Sequence, residues 1–225
     1  MGIVKFGTLL LDGQPYASCV KKGNAAKLSF GYTDSNTAVE WVEASGLLVA
    51  RHLVCMCISW DALNAQNLVT GRLMLIDGQY FMCRCPSEQD AIYGEPDNVW
   101  VDWDLYFWCQ EEHSSNPTFR MLRKMSQQES AYGTKHVANS LIGFRPVLEP
   151  VKCVKDQDLS HALHGSVKLW FPFGPVEGTL TDYSDYDITI RTEQRLPEAN
   201  STVCRNDDEI VISRTGHIWM TNNRI

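Results

Sequence analysis

The strongest constraint on this chain is a pattern that it carries twice. Gly7 to Cys19 reads GTLLLDGQPYASC and Gly71 to Cys83 reads GRLMLIDGQYFMC. Each copy opens on glycine, passes through an apolar run, reaches Asp-Gly (Asp12-Gly13 or Asp77-Gly78) and places glutamine directly after that pair. Asp-Gly tolerates the positive φ angles of a tight turn, so both copies predict a β-hairpin, the first within residues 1–20. A third equally spaced copy is missing, which favours two hairpins of similar chemistry over a solenoid.

Between the hairpins, Thr33 to Gly46 is polar and is broken by Asp34, Ser35 and Asn36. GLLVARHLVCMCI follows as a long β-prone run and reads as one central strand buried on both faces. Ser59 is placed to cap a short helix over WDALNAQN that ends near Asn67, with Asp61 in the first turn where the helix dipole favours negative charge. Residues 86–98, PSEQDAIYGEPDN, read as a loop. The aromatic density of VWVDWDLYFWC then predicts a wall packed from two sides.

Length and charge bound the function. A chain of 225 residues with 44% hydrophobic content can bury a sizeable core. Its formal charge of −7 argues against duplex nucleic acid or an anionic membrane as main partner, since either normally demands a basic face. No window reaches the apolar length of a membrane span, and MGIVKFGTLLLDGQ lacks the apolar core of a signal peptide. The expectation is a protein that stays cytoplasmic until assembly or lysis; an oligomer is compatible with the composition.

The eight cysteines invite a metal reading. Cys55-Met-Cys57 and Cys83-Arg-Cys85 are Cys-x-Cys pairs, however, whereas structural zinc favours Cys-x-x-Cys knuckles. They lie in apolar runs where cysteine behaves as a small hydrophobe, so neither a metal nor a cofactor is expected. Asp102, Asp104, Glu111 and Glu112 lack the spacing of a calcium loop and read as a charged rim. His161 and His164 share a His-x-x-His spacing that fits one helical face but has no third ligand nearby. His52 reads as a core or edge residue of its strand.

From Asn98 to Pro150 the order of segments is informative: the aromatic strand, then FRMLRKMS, then SLIGFRPVLEP. This series resembles the C-type-lectin-like fold in its formylglycine-generating, sulfatase-modifying branch. A closer resemblance is to prophage-encoded proteins of gut Firmicutes, carried by Ser59 to Asn64, Ile76 to Gln79, Trp108 to Glu111 and Ile142 to Glu149. The resemblance implies an α+β fold: a C-type-lectin-like core with few short helices over residues 1–150, followed by a β-rich extension over 151–225. That extension is either a small domain or extra strands laid on the core. Within the core, Trp108, Phe144 and Arg145 are expected to be buried, with Arg145 pairing a carboxylate and Gly143 allowing close chain approach. The stretch QQESAYGTKHVANS is expected to be a surface loop. In the extension, Asp182, Asp185 and Asp187 read as a solvated sheet edge.

Two functions follow. The first is a non-enzymatic ligand-binding or virion-associated protein that meets a protein or glycan surface through Tyr132, His136 and Asn139, with Trp103 and Tyr106 as further aromatic candidates. The second is a formylglycine-generating-type oxidation of a partner's cysteine. The chain departs from that chemistry: no cysteine lies between Cys109 and Cys153, and Arg123-Lys124-Met125-Ser126 stands where the family has Arg-Gly-Gly-Ser. No Gly-x-Ser-x-Gly, His-Glu-x-x-His or P-loop motif is present, so no catalytic residue is assigned.

Overall fold

The computed structural model describes residues 2–16, 26–90, 92, 99–171, 174–194, 203–206, 208–214 and 218–222. The chain divides into two compact units, Met1–Pro150 and Val151–Ile225. In the first, β1 (Ile3–Leu11) and β2 (Gln14–Pro15) turn at Asp12 and Gly13, whose φ angles are 51° and 79°. Further along, β7 (Arg72–Ile76) and β8 (Gln79–Arg84) repeat the turn at Asp77 and Gly78, with φ of 48° and 81°. Both expected hairpins form; residues 17–20 lie outside the described residues.

These hairpins join β3 (Leu28–Gly31), β4 (Ala38–Ala44), β5 (Leu47–Ala50) and β13 (Val147–Pro150) in an eight-stranded sheet ordered β2-β1-β4-β5-β13-β8-β7, with β3 also paired to β1. A five-stranded sheet, β11-β10-β9-β12-β6, is built from β6 (Cys55–Met56), β9 (Tyr106–His113), β10 (Asn116–Lys124), β11 (Gln127–Thr134) and β12 (Ile142–Phe144).

The expected single strand over 46–58 is thus two strands in two sheets. Its partner breaks at the same level, between β12 and β13, because Pro146 has no N–H to continue the ladder. Val54 N still donates to Phe144 O and Ala50 N to Pro146 O, both at 2.9 Å, so the chains stay antiparallel through the kink. Arg145, fully buried, fills it. Its guanidinium donates to the carbonyls of Ala50 and Arg51 at 2.7 Å and of Val101 at 2.9 Å. The expected carboxylate is replaced in these bonds by backbone carbonyls, those of Ala50 and Arg51 at the kink and that of Val101 in the bend before β9.

Trp108 and Phe144 are buried as expected. They pack with Trp41, Phe81 and Leu148 of the larger sheet, and Trp108 Nε1 donates to Ile58 O at 2.8 Å. A second cluster joins Val42, Val49 and Val147 to Phe107, Cys109 and Met121. Gly143 is needed where β12 passes β6: a Cβ there would stand 2.6 Å from Cys55 O.

The α+β expectation is overturned: the architecture is a predominantly β sandwich with half-barrel curvature. Among the described residues only one α-helix occurs, α1 (Trp60–Asn64), capped by Ser59, whose side chain accepts from Ala62 N at 3.2 Å. Asn67, at φ 57°, lies just beyond it in the left-handed region. The stretch expected as a surface loop begins instead as β11, whose Ala131 packs on the core.

The second unit is one antiparallel sheet ordered β14-β20-β15-β16-β17-β19-β18. Its strands are β14 (Lys152–Cys153), β15 (Ser166–Phe171), β16 (Gly174–Tyr183), β17 (Asp187–Arg191), β18 (Val203–Asn206), β19 (Glu209–Ser213) and β20 (Trp219–Asn222). DITIR and EIVIS alternate with period two, which buries Ile188, Ile190, Ile210 and Ile212 on one face. Asp182 and Asp187 lie at the β16–β17 hairpin end, between interior strands, so the expected acidic sheet edge is corrected. His161 lies in a 3-10 turn (Ser160–Ala162) and His164 has φ 64°, so the two share no helical face.

Candidate functional site

After β11 the chain crosses to β12, which runs parallel to β9. The crossover is fixed at both ends. Lys135 N donates to Thr118 O at 2.9 Å, and Lys135 O accepts from Asp61 N at 3.1 Å, which holds the segment against the start of α1. Val137 N bonds Thr134 O, Asn139 Oδ1 accepts from Leu141 N at 2.8 Å, and Leu141 O accepts from Tyr106 N at 3.1 Å. Between these ties residues 136–141 are all exposed, Val137 by 47% and Leu141 by 57%.

The expected binding residues do not form one surface. His136 and Asn139 lie on the crossover, but the Asn139 side-chain oxygen is engaged in the turn to Leu141. Tyr132 pairs with Met121, on the sheet face opposite Trp108 and Leu122, and its exposed ring meets the edge of His113 at 4.5 Å. Tyr106 belongs to the Trp108 face, where it packs on the core and the Lys124 ammonium stands 4.6 Å from its ring centre. Trp103, half-exposed, lies in the bend before β9, and its carbonyl accepts from Ser126 N.

A cavity of about 530 Å³ opens beside the kink and was not foreseen. Leu9, Ala38, Val39, Leu53 and Val54 line it with Tyr16, Thr37, Glu40, Arg51, His52 and Asp102. Glu40 accepts from Arg51 Nη1 at 2.7 Å and stands 3.4 Å from both His52 Nε2 and Lys5 Nζ. The Arg51 hydrogen bond is the main reason its carboxyl is held below the usual range; burial, the next largest influence, pulls the other way. A carboxylate held this way accepts hydrogen bonds and does not serve as a proton donor. On the far side of His52, Asp102 Oδ2 lies 4.0 Å from Nδ1 and 3.4 Å from Leu53 N.

These polar groups come from β4, the kink and the bend before β9, so no sequence spacing announces them. One signal was available. Arg51-His52 interrupts an apolar run, and a polar pair there marks the break that brings Glu40 and Asp102 together.

Other chemistry weighed in the sequence is accounted for by packing. Glu112 pairs with Arg120 and Asp104 with Lys124. Cys83, Cys85 and Cys109 are fully buried, and burial pushes their thiols up, Cys83 to about 12 and the others well above the ordinary value. Cys109 therefore lacks the thiolate that cysteine oxidation requires. Cys55 is buried in one core cluster, while Cys57, at φ 54°, packs on another, so that pair does not face one point. No family model, curated protein or solved structure matches the chain.

Proposed function

We propose that the chain is a non-enzymatic binding protein, in the setting of a phage particle or its tail, and that the crossover over residues 136–141 is its contact surface. The observation that carries this reading is the exposure of Val137 and Leu141 on backbone tied at both ends. A loop held rigid by its scaffold presents side chains at low entropic cost, which is the usual design of a binding loop. Two exposed aliphatic side chains beside His136 favour a protein surface over a glycan, which would ask for more hydrogen-bonding groups. The sequence resemblance to prophage proteins supports the setting. The oxidase reading is not carried forward, given the buried Cys109 thiol.

The test is a binding screen against bacterial cell surfaces and their isolated surface proteins, with the wild type and a His136→Ala/Val137→Ser/Leu141→Ser variant. These side chains are exposed, so the variant should fold with an unchanged thermal midpoint and lose any binding found. Binding that survives the triple substitution would exclude the crossover as the contact surface. Tyr132→Ala serves as comparison from the other sheet face.

A further inference from the structure

The geometry points to a second site: we infer that the cavity beside the kink binds a neutral saccharide of one or two rings. It lies apart from the exposed crossover residues and does not depend on what they contact. At about 530 Å³ it falls within the ~300–1,000 Å³ of small-molecule sites.

Its walls differ in kind. Leu9, Val39, Leu53 and Val54 make one apolar, with the half-exposed Tyr16 ring among them. Glu40, Arg51, His52 and Asp102 make the other, their side chains between 24% and 40% exposed and so open to a ligand. Charge nearly cancels on the polar side. Arg51 and Lys5 neutralise Glu40, and the remaining acceptor, Asp102, faces an imidazole. An ammonium ligand only donates, so it could meet Asp102 but could accept nothing from the N–H groups of Arg51 and His52. A phosphate only accepts and would oppose two carboxylates. A hydroxyl does both, which matches a wall that alternates acceptors with donors. The C–H faces of a sugar ring suit the apolar wall and the Tyr16 ring.

Asp102 is the anchor. Its contacts among the described residues are long, 3.4 Å to Leu53 N and 4.0 Å to His52 Nδ1, so its oxygens keep capacity for a pair of hydroxyls. Its left-handed φ of 55° is a conformation that asparagine also tolerates, so Asp102→Asn changes the acceptor without reshaping the chain.

The experiment is saturation-transfer NMR on the full chain with glucose, galactose, mannose, N-acetylglucosamine, lactose, maltose, cellobiose and chitobiose. Methylammonium and methyl phosphate, whose methyl protons report saturation, are the charged comparisons. At least one saccharide should receive saturation and bind more tightly than either charged probe. Its dissociation constant should rise about tenfold in Asp102→Asn, the scale of one charge-assisted hydrogen bond. It should also rise in Tyr16→Ala, a rim substitution that spares the core, and stay unchanged in Leu141→Ser on the crossover. The inference is overturned by a folded chain that transfers saturation to none of the sugars, by preference for either charged probe, or by sugar binding equal in wild type and both cavity variants.

Discussion

The carboxylate of Asp77 accepts both the backbone N–H of Thr33, at 2.9 Å, and the Thr33 hydroxyl. That hydroxyl in turn accepts from Gly7 N at 2.7 Å, so the opening glycine of the first hairpin copy is linked through Thr33 to the turn aspartate of the second. Asp12 acts alike at the other end of β3, where Oδ1 accepts from Lys27 N at 2.9 Å. Each turn aspartate both tolerates a positive φ and holds one end of the same intervening strand. The repeated Asp-Gly therefore shapes the sheet beyond its own hairpins.

This link predicts an order of stabilities. Asp77→Asn keeps a residue that accepts the left-handed turn but removes the charge, and Asp77→Ala removes both turn preference and acceptor. Thermal unfolding should rank wild type above Asp77→Asn above Asp77→Ala. A double-mutant cycle with Thr33→Val should show favourable coupling; strictly additive losses would mean that the two residues act separately.

Arg145 supports a second prediction. Its buried guanidinium donates to carbonyls at the kink and in the bend before β9; Arg145→Met would remove this donor from Ala50 O and Val101 O, while Arg51 O would keep Val101 N. Loss of a buried charged donor of this kind costs about 3 kcal/mol or more. Urea unfolding should show that loss, and Arg145→Lys should recover only part of it, because an ammonium cannot span three separated acceptors. Full rescue by lysine would argue that bulk and charge alone hold the kink.

How much of this was legible depended on whether the signal was local. The hairpins and the Ser59 cap rest on short patterns, and each appears where the pattern lies; the burial of Trp108 and Phe144 was expected from the resemblance. The kink does not. LLVARHLVC has the composition of one buried strand, and its break is set by Pro146 and Arg145, almost a hundred residues away. β11 was hidden for a similar reason: as an edge strand with a polar sequence it shows little of the alternation that marks strands. The fold class went wrong through the resemblance, since segment order along a chain is weaker than the periodicity of each segment. The cavity was invisible because its groups converge only after both sheets form.

Cysteine reactivity gives a third prediction. In native protein treated with iodoacetamide at neutral pH, Cys83, Cys85 and Cys109 should remain unmodified by peptide mass analysis, because burial excludes the reagent and keeps the thiols protonated. In denaturant all three should be alkylated. Native alkylation of Cys109 would reopen a redox role for it.

The last prediction concerns acid. Folding lowers the pKa of Glu40 from its ordinary 4.5, chiefly through the Arg51 hydrogen bond, so the folded state holds the carboxylate more readily than the unfolded chain does. The resulting stabilisation is complete above 4.5 and is lost as pH falls through the lower folded value. Glu40→Gln should accordingly destabilise by about 1 kcal/mol at neutral pH, on the scale of a partly exposed ion pair. Urea midpoints of wild type and variant, followed from neutral pH to well below 4.5, should converge on the acid side. A gap that stays constant across that range would show that the variant loses packing or shape at the cavity, with the Glu40 charge contributing nothing to the fold.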